Sequence, residues 1–326
     1  MGLGSRSAYC ICSLLVMVTP LAMAALPASG GEKAVPQCSV AVVGPMAAGE
    51  VPVCDLEAVR NLARKGHVYE QNQLGIASIL AIAPGLDTGT AREWFEKAAQ
   101  KGYAPAEVNL GVLHANGWGV PQNYAKALYW FNRAAEQKYP RAYYNLGILY
   151  LNGTGVRRDF ELALRYFRLG AETGDTSAET NLGYMYDLGL GVKANPATAV
   201  QWYRKAAEKG EPLAQNNLAD MYLRGLGVAQ DDAEAFYWFQ RAARQGQTGA
   251  SIKLGYMYAS GRGTGKNLEE GYRWVLAGTL AGDGRGTDLL KALKSELSQE
   301  QRSRAEKRAA EALHETVERL SATLQR

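Results

Sequence analysis

Cysteine and histidine are almost missing from this 326-residue chain: four cysteines lie at 10, 12, 38 and 54, and three histidines at 67, 114 and 314. No Cys/His set has the spacing of metal ligands. No motif places a serine, a histidine and an acid as a nucleophilic triad. An excess of one charge is missing too. The 36 basic and 32 acidic residues leave a net +4, scattered along the chain, without the concentrated basic patch that a nucleic-acid backbone requires. Long apolar runs are absent apart from residues 8–24, broken by Ser13 and Pro20 and shorter than the roughly 20 residues of a membrane span. These absences exclude a metal enzyme, a triad hydrolase and a nucleic-acid binder, and no cofactor is expected.

That one apolar run has a different use. Arg6, the run itself and the small-x-small site Ala22-Met23-Ala24 have the layout of a secretory signal peptide over 1–24. The expectation is export, periplasmic or secreted, with no transmembrane segment in the mature chain. Loss of Arg6 brings the net charge to +3. Cys10 and Cys12 lack a lipoprotein context. The pair that remains, Cys38 and Cys54, predicts a disulfide in an oxidising compartment, worth about 3 kcal/mol to the flanking segment; two free thiols are the alternative. Residues 25–54 read as a linker.

Glycine is plentiful, with 36 residues. "GRGTGKN" at 261–267 resembles a phosphate-wrapping loop. It recurs, however, as Gly-x-Gly at 225, 189, 153 and 117, each 36 residues earlier. Leu74, Leu110, Leu146, Leu182, Leu218 and Leu254 keep the same register. Six units therefore tile residues 68–283, the mark of a stacked helical array. A Walker loop needs a preceding strand, a first glycine where Ser260 stands and Ser or Thr where Asn267 stands. The glycines mark interhelical turns, and Lys266 is incidental.

Within a unit, Ala142, Leu146 and Leu149 form one helical stripe. The column Asp87, Asn123, Asp159, Asn195, Asp231 and Asn267 supplies an N-cap for a second helix, whose buried stripe is Ala163, Phe167 and Gly170 or Ala171. Trp94, Trp130, Trp202, Trp238 and Trp274 share a column with Tyr166, read as packing between helices rather than a cofactor ladder. His114 stands in a tyrosine column and reads as a packing residue. Residues 55–67 look like the second half of a unit, an N-terminal capping helix. Residues 284–326 predict two helices that cap and extend the array, the longer opened by a Ser298/Gln301 capping box.

The columns Ala, Asn-Leu-Gly, Gly-x-Gly-Val, Asn or Asp, then Trp-Tyr/Phe, Ala-Ala and Gly resemble the SEL-one-like repeat, a relative of the tetratricopeptide repeat. The first and last units depart from the pattern at "AIAPG" and at Thr264, Gly271 and Val275. The resemblance implies an all-α, right-handed solenoid of six helix-turn-helix repeats, acting as an exported adaptor or scaffold rather than an enzyme. It also implies a second possibility, since cysteine-rich exported relatives have been assigned penicillin binding or weak β-lactamase activity. A cell-wall factor associated with peptidoglycan is a third. Those cysteine-rich relatives carry a cysteine pair in each repeat, and this array has none.

The first-helix columns at 108, 112 and 115 vary from unit to unit at i, i+4, i+7 spacing, so they share one stripe. In tetratricopeptide-like arrays the matching stripe lines a concave groove. The expected partner-binding residues are Tyr144, Ile148, Thr180, Tyr184, Asp187, Asn216, Asp220 and Tyr256, suited to a protein or peptide with apolar anchors and a basic group.

Overall fold

The computed structural model describes residues 56–79 and 88–323, with side chains from 59 to 79 and 89 to 311. The expected signal peptide, the expected linker with Cys38 and Cys54, the "AIAPG" stretch, Asp87 and the side chain of His314 lie outside the described residues. All regular structure among the described residues is helical. The chain divides into two compact units, the second running from Ala171 to Glu318 and the first taking the residues on either side.

The first unit opens with α1 (Leu56–Arg64) and α2 (Val68–Ile79), followed by α3 (Thr88–Gln100), α4 (Ala104–Asn116), α5 (Tyr124–Glu136) and α6 (Pro140–Asn152); α7 (Phe160–Glu172) crosses the division. The second contains α8 (Thr176–Leu188), α9 (Pro196–Glu208), α10 (Pro212–Arg224), α11 (Asp232–Arg244), α12 (Thr248–Ser260) and α13 (Leu268–Leu280), then α14 (Thr287–Glu296) and α15 (Gln299–Thr323), the last as far as Glu318. Within each unit consecutive helices pack in sequence order.

The 36-residue period has a direct structural cause. Every helix from α4 to α13 is 13 residues long. Each first helix from α4 onward ends at a left-handed glycine, as at Gly261 (φ 77°), whose N–H donates to the Met257 carbonyl at 2.9 Å. The second glycine of the turn is needed for space: a Cβ on Gly263 would lie 2.0 Å from the Asp232 carbonyl oxygen. "GRGTGKN" is thus a helix stop followed by a close approach, and Lys266 is exposed. Asn267 caps the next helix, its side chain accepting from Glu270 N at 3.0 Å. Asn123, Asp159, Asn195 and Asp231 do the same for α5, α7, α9 and α11. Each such cap is worth about 1 kcal/mol.

Phe95, Phe131, Phe167, Tyr203, Phe239 and Val275 fill the centre of successive helix pairs, all essentially buried. They follow the tryptophan column by one residue. The tryptophans pack nearer the rim, and Trp94, Trp130, Trp202, Trp238 and Trp274 each carry a cation 4.2–5.3 Å from the ring centre: Lys97, Arg133, Lys205, Arg241 and Arg273. Packing explains the column, as the sequence predicts, with the cation as a lid.

A polar column joins neighbouring helices. Gln71 and Gln215 each donate through Nε2, and Tyr143 through its hydroxyl, to the carbonyls of Ala63, Ala207 and Ala135, eight residues back, at 3.0, 3.1 and 3.2 Å in that order. Where the column holds an acid, the link runs forward. Buried Glu107 meets Arg133 at 3.0 Å and accepts from Gln137 at 2.8 Å. Buried Glu179 meets Lys205 at 2.9 Å and Lys209 at 2.7 Å.

The second unit is closed by its own tail. Leu293, Leu297 and Ala305 bury against Tyr272 and Val275. The Tyr272 hydroxyl donates to Glu306 at 2.9 Å, and Arg304 and Arg308 pair with Glu269 and Glu270. Ser298 and Gln301 exchange the reciprocal bonds of a capping box, at 2.9 and 3.2 Å.

Candidate interaction face

The variable stripe of the first helices takes two forms. In the first unit Val108, Val112 and Ala115 are fully buried and belong to an apolar cluster with Phe131 and Leu146. Ile148 and Leu151 are also buried. Tyr144 is half-buried, its ring 6.2 Å from Phe167. Of the residues expected to meet a partner, Ile148 therefore contributes almost no surface here.

The second unit bears the polar version. Thr180 is 2% exposed, because its hydroxyl turns into its own helix and donates to the Thr176 carbonyl at 2.7 Å. Tyr184 and Asn216 are buried as a floor. Asp187 and Asp220 are half-buried, and Tyr256 is 46% exposed. Four further residues complete this face. Lys253 pairs with Asp220 and donates to Asn216 Oδ1 at 3.3 Å. Arg285 grips Asp283 through two side-chain bonds, at 2.9 and 2.5 Å, and its charge is felt at Asp220. Arg224 acts on Asp187. Lys253 was visible in the sequence, since it stands where five other units carry Gln73, Asn109, Asn145, Asn181 and Asn217. Arg285 and Asp283 were hidden by lying where the period ends.

Burial pushes the Asp187 carboxyl above its ordinary value; Arg224 opposes this and the neighbouring Asp220 adds to it. Burial also pushes Asp283 up, but the hydrogen bonds and charge of Arg285 outweigh it and hold Asp283 low. Two carboxylates on successive first helices thus repel each other, while an exposed aromatic stands on the third. A cation placed between Asp187 and Asp220 would relieve that repulsion.

His114 is buried, and burial together with Lys126 lowers its pKa. It is held neutral among packing groups. No described helix is long and apolar enough to cross a membrane.

Helix pairs of constant length, closed by paired glycines and stacked through one aromatic column, define an all-α helical-repeat scaffold of the solenoid class. The chain belongs to the Sel1 repeat family: the Sel1 repeat matches at 81–103, 104–139, 140–175, 176–211, 212–247 and 249–283. The first match covers only the second helix of its unit. Among solved structures, a Sel1 repeat protein from Oxalobacter formigenes is similar, at 32% identity and TM-score 0.63 over 71% of this chain and 92% of that one. The protective antigen c5321 of uropathogenic Escherichia coli, with an SLR fold, is 32% identical over 79% of this chain and 64% of its own, at TM-score 0.39. The immunity protein Pa5087 of Pseudomonas aeruginosa is 20% identical over 69% and 82%, at TM-score 0.47. No curated protein matches the chain. Sel1 repeat proteins generally mediate protein–protein interaction, and the scaffold is generally non-enzymatic.

Proposed function

We propose that this chain is an exported, non-enzymatic scaffold that binds an extended peptide segment of a protein partner on the inner face of its second unit. The observation that carries this reading is the pair Asp187 and Asp220 on successive first helices, with exposed Tyr256 on the next one. A lysine or arginine of the peptide enters between the carboxylates, and an apolar or aromatic neighbour packs on Tyr256 over the Tyr184 floor. Export rests on the 1–24 leader, and the Cys38–Cys54 bridge goes with it.

A display library of random 12-residue peptides, selected on the mature protein, tests this directly. Selected peptides should be enriched in a basic residue next to an aromatic or leucine. Asp187→Asn with Asp220→Asn should weaken the best of them at least tenfold. Because burial has raised the Asp187 pKa, binding should begin to fail on acidification at a higher pH than an ordinary aspartate dictates. Acidic peptides, or affinity unmoved by the double change, would reject the reading. A chromogenic β-lactam should show no turnover above background; turnover would favour the penicillin-recognising alternative.

A further inference from the structure

One column of the array closes the glycine turns from α4 onward. The backbone carbonyls of His114, Tyr150, Tyr186, Tyr222 and Tyr258 accept, in that order, from the N–H of Asn123, Asp159, Asn195, Asp231 and Asn267, at 2.7–3.0 Å. The side chains of the column pack on the same helix pairs. Tyr150 stacks on Tyr166 with ring centres 5.8 Å apart, the Tyr222 hydroxyl accepts from Arg204 Nη2 at 2.9 Å, and Tyr258 meets Phe236 edge-on at 5.1 Å. A phenol keeps its charge between pH 5 and 8, and an imidazole does not. His114 is the exception in this column, and it is 7% exposed.

Its surroundings suit only the neutral ring. One nitrogen donates to the Pro121 carbonyl, while Nδ1 is buried without a hydrogen-bond partner. In a neutral imidazole the second nitrogen carries no proton. Protonation would place a buried donor at Nδ1 with nothing to receive it, which is costly. The charged groups that act on the ring come from both neighbouring helices, Arg92 and Glu96 on α3 and Lys126 on α5. Burial does most to lower the His114 pKa, Lys126 and Arg92 add to it, and Glu96 and the Pro121 bond oppose them. Glu96 is itself paired with Arg92 at 3.8 Å.

We propose that His114 is an acid-sensitive post, which releases the 117–123 turn of the first unit on acidification while the tyrosine-closed turns of the second unit hold. Because the folded ring is neutral, the unfolded chain takes up the proton first. The turn therefore has its full strength above the ordinary value of 6.5 and weakens as pH falls below it. Release has a route into the rest of the unit. Trp118, within the turn, packs against both the Phe95 cluster and the Phe131 cluster. Asn123, at its end, caps α5 by accepting from Lys126 N at 3.0 Å. An open turn bares Trp118 and frays the end of α4 and the start of α5.

Amide exchange of the intact mature chain, corrected for the pH dependence of exchange in unfolded peptides, is compared at pH 7.5 and pH 5.0. Protection over 118–126 should fall at least about fivefold, while the equivalent stretch 226–234 holds within about twofold. His114→Tyr installs the residue its own column prefers and should abolish the fall. An NMR titration of the His114 ring in the unaltered chain needs no variant, and its midpoint should lie below 6.5. Unchanged protection over 118–126, an equal fall in both stretches, or a midpoint at or above 6.5 would overturn the proposal. So would a fall that persists in His114→Tyr, which would pass the effect to Glu107, whose carboxyl burial pushes upward.

Discussion

The variable stripes of α4 and α10 occupy the same column of the same repeat and have opposite characters. Val108, Val112 and Ala115 are sealed in apolar surroundings, whereas Asn216, Asp220 and Leu223 form part of a charged, partly open surface. Behind both faces the packing is shared: Leu110 and Leu218, Phe131 and Phe239, Ala134 and Ala242 are all buried. In a repeat array each unit meets only its neighbours, so stability resides in the packing columns. The variable stripe is left to diverge without cost to the fold.

If the scaffold is common to both units, removing its central ring should hurt both alike. Phe131→Ala and Phe239→Ala should each cost about 3–5 kcal/mol, read as the loss of protection in amide exchange within the corresponding unit. A loss under about 1 kcal/mol in either would break the equivalence. The buried acids should then separate the units. Arg133→Met strands Glu107, whose carboxyl burial already pushes upward, and should cost about 3 kcal/mol. Lys205→Met should cost less than about 1 kcal/mol, because Lys209 still holds Glu179 at 2.7 Å and Lys205 is half in solvent. The Arg133→Met loss should shrink on acidification, since protonating Glu107 removes the stranded charge. Equal losses at the two sites would show that the second lysine is idle.

A smaller effect belongs to the second unit alone. Burial, with help from the Glu306 carboxylate that its hydroxyl meets, raises Tyr272 to about 12 from 10.0. The unfolded chain gives up this proton first, so stability should fall as pH climbs from about 10 towards 12 and then level off. Tyr272→Phe should remove that slope, at a neutral-pH cost of about 1 kcal/mol for the lost hydrogen bond. The smallest changes are expected on the open face. Asp220→Ala and Tyr256→Ala should alter stability by less than about 1 kcal/mol, measured by urea unfolding, since both groups reach solvent. Large losses there would make the face part of the scaffold.

The repeat, its caps and its turns could be read in the residues because each depends on local chemistry repeated along the array. Asn123, Asp159, Asn195, Asp231 and Asn267 cap helices, and Gly261 with Gly263 forms a turn, for reasons contained within a few neighbours. The stripe at 108, 112 and 115 could be located by its spacing, but its exposure could not. Burial of Val108 or Thr180 depends on what lies across the face, and no column records that. The buried Glu107 and Glu179 were missed because their column mixes Gln, Glu, Tyr and Ser. Its common role, a link to the adjacent helix, emerges only when Ala63, Ala135 and Ala207 are brought within reach.

The claim that one face is open to partners while its equivalent is closed can be tested in a single exchange experiment. Deuterium uptake is compared between the free mature protein and the same protein saturated with the best basic-aromatic peptide. Protection should appear in α10 and α12, around Asp220 and Tyr256, and leave α4 unchanged. Protection on α4, or on the second helices α9 and α11 with none on α10 and α12, would contradict the account.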